Sequence, residues 1–79
     1  QTKKGELIDI MEFRKVMSNN INHVGYDQNT GKLTVIFRDG RVYSYGNIAF
    51  KTYYSFINAT SIGRYFAIYI KHRPYQRGY

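Results

Sequence analysis

The chain has no cysteine, no tryptophan and a single proline, Pro74. Without cysteine there is no disulfide framework, no thiolate metal site and no thiol nucleophile, and nothing points to an oxidising compartment. A cytoplasmic setting is the expectation. Histidine is scarce too: His23 and His72 lie far apart in sequence and form neither an HxH nor an HxxxH pair, so no metal site is expected. No apolar run reaches membrane-spanning length and no charged-then-apolar segment opens the chain, so neither a membrane partner nor export is indicated. Glycine-rich phosphate loops, a nucleophile elbow and a carboxylate pair are all missing, and the expectation is a protein that is not an enzyme and carries no cofactor. A metal-independent ribonuclease built on one histidine and a nearby cation would need support from geometry. At 79 residues there is room for one domain with one modest core.

The last absence is the most informative, because no acidic residue follows Asp39. Residues 40–79 carry Arg41, Lys51, Arg64, Lys71, Arg73 and Arg77, six of the 12 basic residues, with none of the 5 acidic ones. Of the net charge of +7, +6 therefore belongs to that half and +1 to residues 1–39. Nine tyrosines and five phenylalanines accompany the charge. A cationic, tyrosine-rich half attracts polyanions, with nucleic acid first among them.

Turn signals divide the chain. Residues 1–6 are polar and expected to be loose, and residue 1 is Gln, which leaves Met11 as an internal start or the domain as the tail of something longer. Leu7 to Val16 fits a helix through Leu7, Ile10 and Met11, or a strand through Met11 and Phe13. Ile21 to Tyr26 reads as a strand that ends in the loop Asp27 to Gly31. Leu33, Val35 and Phe37 alternate with Thr34, Ile36 and Arg38 as a half-buried strand does, and Asp39-Gly40 turns the chain into Arg41 to Tyr45. Ile48, Tyr53, Phe56 and Ile57 then take up helical spacing, and Ala59, Ile62, Phe66 and Ile70 mark a second helix. Thr60 or Ser61 is suited to cap it, and Gly63 on its apolar face implies close packing. The expected fold is α+β, an antiparallel meander of three or four strands followed by two helices on one sheet face.

The ordered series Ser18-Asn19-Asn20-Ile21, Val24-Gly25-Tyr26-Asp27, Leu33-x-Val35-x-Phe37, Asp39-Gly40 and Tyr43-x-Tyr45 continues through Tyr53, Asn58-Ala59-x-Ser61-x-Gly63-x-Tyr65-Phe66, Ile70-Lys71 and Tyr75. In this series the chain resembles the KTSC domain family, named for its occurrence at the C-terminus of some lysyl-tRNA synthetases and also found free-standing. The resemblance implies the fold and RNA binding. It divides the chain into an extension, residues 1–15, the domain proper, residues 16–75, and a basic aromatic tail, residues 76–79. Ala49 departs from the family pattern, which has proline at the start of the first helix.

Two features carry the functional expectation. If Asp39-Gly40 form a two-residue turn, Phe37 faces Val42, and Tyr43 and Tyr45 join Lys32, Thr34, Arg38 and Arg41 on an aromatic, basic sheet face. If Arg38-Asp39-Gly40 form a three-residue turn, Phe37 faces Arg41 and the two tyrosines join the core. Patterning favours the second register, because it gathers the apolar residues on one face, with Phe66 and Gly63 opposite as structural positions. The other feature is clustering of cations. Arg64 and Lys71, seven residues apart, fall on one helix face and lead into Arg73, Tyr75 and Arg77 in a flexible tail that can neutralise phosphates and stack on bases. Arg41 and Arg38 add to the candidate binding set. The expected partner is RNA or another nucleic acid. The alternative is an acidic protein on which a small regulator or inhibitor docks.

Overall fold

The computed structural model describes residues 12–79; the expectations for residues 1–11 lie outside the described residues. Five antiparallel strands, rather than three or four, form one sheet in the order β1-β2-β3-β4-β5. They are β1 (Phe13–Lys15), β2 (Ile21–Asp27), β3 (Lys32–Phe37), β4 (Val42–Tyr45) and β5 (Tyr75–Arg77). Helix α1 (Phe50–Ile57) and helix α2 (Ile62–Tyr65) come between β4 and β5, and α2 runs on as a π-helical turn, Phe66–Ile70. Among the described residues, no helix is long and apolar enough to cross a membrane.

The two added strands come from the segments expected to lie outside the domain or at its end. The described part of the ambiguous Leu7 to Val16 stretch is a strand, with Arg14 opposite Val24 in the ladder. The supposed flexible tail is β5, which pairs Tyr75 with Tyr45 and Arg77 with Tyr43.

The β3–β4 connection settles the register. Phe37 N–H donates to the Arg41 carbonyl at 2.9 Å and Gly40 N–H to the Phe37 carbonyl at 3.0 Å, which closes a three-residue turn. Gly40 sits at φ +94°, the left-handed conformation that this turn demands. Leu33 therefore faces Tyr45 and Val35 faces Tyr43. Tyr45 is buried, at 4 % exposure, and Tyr43 is half-buried. In the β2–β3 loop, Asp27 accepts from Asn29 N–H at 2.9 Å through its side chain. Its carbonyl accepts from Gly31 N–H at 2.8 Å.

One core joins the sheet to both helices: Val24, Leu33, Val35 and Tyr45 meet Phe56 of α1, Ile62 of α2, and Phe66 and Ile70 of the π turn. Ser61 caps α2, accepting from Arg64 N–H. The π turn has a packing reason. Ile62, Phe66 and Ile70 are all buried, yet eight residues of ideal α-helix would rotate Ile70 about 80° away from Ile62. A wider turn, seen in the 2.9 Å bond from Lys71 N–H to the Phe66 carbonyl, reduces that drift. On the opposite sheet face Thr34 and Ser44 share a buried 2.9 Å hydrogen bond. The chain end covers that pair, with Ser44 donating to the Gly78 carbonyl at 2.6 Å and the Tyr79 ring edge-on to Phe13 at 5.9 Å.

Candidate functional site

Alternation in β3 and β4 puts Phe37, Tyr43 and Tyr45 on the helix-facing side of the sheet, and β5 adds Tyr75 beside them. The π turn supplies Phe66 and Ala67 from across the gap, and Lys71 follows. Between them lies an open groove of about 430 Å³, within the size range of small-ligand sites. Asn20 and Gly63 close one end.

The groove is lined by a connected set of rings. Phe37 meets Tyr43 edge-on at 5.8 Å and Phe66 at 5.7 Å, Tyr43 meets Tyr75 at 5.6 Å, and Tyr45 meets Phe66 at 5.5 Å. These contacts fix the rings before any ligand arrives. Tyr75 remains 63 % exposed and offers a free face. Among the described residues, Arg41 and Lys71 are the cations lining the groove, and no carboxylate lines it. The Arg41 guanidinium lies 5.2 Å from the Phe37 ring centroid and 2.8 Å from an Asp39 oxygen, which orients it. Hydrogen bonds from the Arg41 main chain and side chain hold the exposed Asp39 carboxyl below its ordinary range. Burial, with Tyr43 and Tyr75 alongside, pushes the Tyr45 hydroxyl up to about 12.

The candidate residues are thus sorted into four groups. Arg41, Lys71 and Tyr75 come together in the groove, with Tyr43, Tyr45, Gly63 and Phe66. Arg77 lies next to it in β5, opposite Tyr43. Arg38 and Arg64 line a separate polar depression that adjoins the groove at Asn20 and Gly63. Arg73 is turned elsewhere, donating to the Asn47 carbonyl at 3.1 Å. Within the expected strip from Arg64 to Arg77, Arg64 and Lys71 line different depressions, Arg73 turns to the Asn47 carbonyl and Arg77 lies in β5. The expected close packing at Gly63 is also absent: a Cβ there would meet Ser18 Oγ at an ordinary 3.6 Å. Sequence reasoning missed Asn20, Ala67 and the strand character of Tyr75–Arg77. Neither histidine lines the groove. Among the described residues, no cluster of three or more metal-ligating side chains gathers.

Comparison with curated proteins found no match. Among solved structures, the crystal structure of a KTSC domain protein from Yersinia pestis superimposes with a TM-score of 0.84 at 28% sequence identity. The alignment covers 89% of this chain and 100% of that one. The family model described as KTSC domain matches residues 17–75, a span that contains every residue lining the groove. By that match over most of its length, this chain belongs to the KTSC domain family.

Proposed function

We propose that the domain is a non-enzymatic module that binds single-stranded or structured RNA, with bases against the aromatic groove and phosphates on the cations around it. The observation that carries this reading is the groove itself: five rings, Phe37, Tyr43, Tyr45, Phe66 and Tyr75, beside Arg41 and Lys71, with no carboxylate among the lining residues. Rings stack on any base while cations hold the backbone, so affinity is broad and sequence preference modest. The lack of cysteine favours a cytoplasmic setting.

Fluorescence anisotropy with a labelled uridine oligonucleotide tests the reading. Contact with about four phosphates gives a slope near about −3 in log affinity against log salt, each phosphate of a single strand contributing roughly −0.7. Absence of binding at low salt overturns the proposal. Tighter binding to an acidic peptide than to RNA gives the site to a protein partner, and equal binding to heparin reduces it to general attraction of anions.

A further inference from the structure

Gly63 occupies a position for which neither packing nor backbone geometry gives a reason. It sits in α2, its φ lies outside the left-handed region, and a Cβ would find only Ser18 Oγ at 3.6 Å. Glycine weakens a helix relative to alanine, so the residue carries a cost without a local return. It lies where two depressions adjoin. On one side is the aromatic groove; on the other is a polar depression of about 600 Å³ lined by Arg38, Arg64, Ser61 and Thr60, with Asn20 and Gly63 common to both.

The two depressions divide the chemistry of a nucleotide between them. Among the described residues, five rings line the first and none lines the second, whereas the second holds two guanidinium groups and no carboxylate. Arg38 is held in place, its Nε donating to the Ser18 carbonyl at 2.9 Å, while no described hydrogen bond engages its terminal amino groups. A planar pair of guanidinium groups in a polar hollow suits a phosphodiester.

Building on the RNA reading above, we propose that Gly63 is the saddle of a two-part site for single-stranded RNA. A base lies in the aromatic groove, the backbone crosses over Gly63, and the next phosphate sits between Arg38 and Arg64. A side chain at position 63 obstructs the crossing, which a mononucleotide does not need to make.

The test compares a labelled hexauridylate with uridine 5′-monophosphate, the latter followed by NMR shifts of the groove residues. Wild-type protein is set beside Gly63→Gln, Arg64→Gln and the Arg38→Gln/Arg64→Gln pair, each with its melting point. Gly63→Gln weakens hexamer binding about tenfold more than it weakens mononucleotide binding, while the melting point holds. Arg64→Gln makes the salt slope shallower, and the pair makes it shallower by about 0.7, the share of the one phosphate held between them. Wild-type hexamer binding that Gly63→Gln leaves unchanged overturns the saddle, as does equal weakening of hexamer and mononucleotide. Unchanged salt slopes overturn the phosphate site. Failure of wild-type protein to bind either ligand overturns the RNA reading itself, and the saddle with it.

Discussion

Tyr45 is where the packing of the domain and the chemistry of the groove meet. Its ring fills the core, and its hydroxyl is raised from an ordinary 10.0 to about 12 by burial first and by Tyr43 and Tyr75 next, so the fold favours the protonated form. The unfolded chain loses this proton near its ordinary value and the folded one only later. The contribution of Tyr45 to stability is therefore constant below about pH 10 and is lost as pH rises from about 10 to about 12. Tyr45→Phe should flatten that alkaline limb in chemical denaturation measured across the interval; an unchanged limb would assign it to other groups. Tyr45→Ala empties a core position and should cost about 3 kcal/mol, read by thermal melting. Arg73 and Lys71 differ in the opposite sense to their similar charges. Arg73 holds the Asn47 carbonyl, at a residue with φ 57°, so Arg73→Gln should lower stability by about 1 kcal/mol and leave the salt slope of RNA binding unchanged. Lys71→Gln should do the reverse, a shallower slope by about 0.7 with the melting point intact.

At the scale of elements, α1 starts weakly. Ala49 caps it at φ −67° and ψ 150° without a side-chain hydrogen bond, a conformation that proline adopts without strain. Ala49→Pro should stabilise the domain by about 0.4–1 kcal/mol, and a lower melting point would show that the preceding turn cannot accommodate the ring. The hairpin strands were legible in the sequence because Leu33, Val35 and Phe37 alternate, and the turn register followed from gathering Tyr43 and Tyr45 with them. Ser61 was legible as a cap from its place before Ile62. By contrast, β5 was hidden: its three residues are all exposed, Pro74 precedes them and Gly78 follows, so local pattern read as a tail while pairing with β4 made a strand. The π turn was hidden too, since the burial of Ile62, Phe66 and Ile70 together is decided by tertiary packing and not by their spacing. Once those two elements are misread the groove cannot be seen, because β5 and the π turn supply Tyr75, Phe66 and Ala67 to its walls.

For the whole molecule, the charge split of the sequence becomes a spatial sorting. Arg41 and Lys71 reach the groove, Arg38 and Arg64 the neighbouring depression, and Arg73 holds a loop. A second aromatic cluster competes for the role of binding face. Tyr26 stacks on Tyr53 at 4.4 Å, and Phe50 and Tyr54 beside them are exposed. Arg14, Glu12 and Gln28 join that cluster around a shallow hollow, so unlike the groove it carries a carboxylate. The most direct measurement is a heteronuclear NMR titration of the isotope-labelled domain with hexauridylate at low salt. The account predicts saturating shifts centred on Asn20, Gly63, Lys71 and Tyr75 that reverse as salt is added. Shifts centred on Phe50 and Tyr54, or spread evenly over exposed cations such as Lys15 and Lys51, would contradict it.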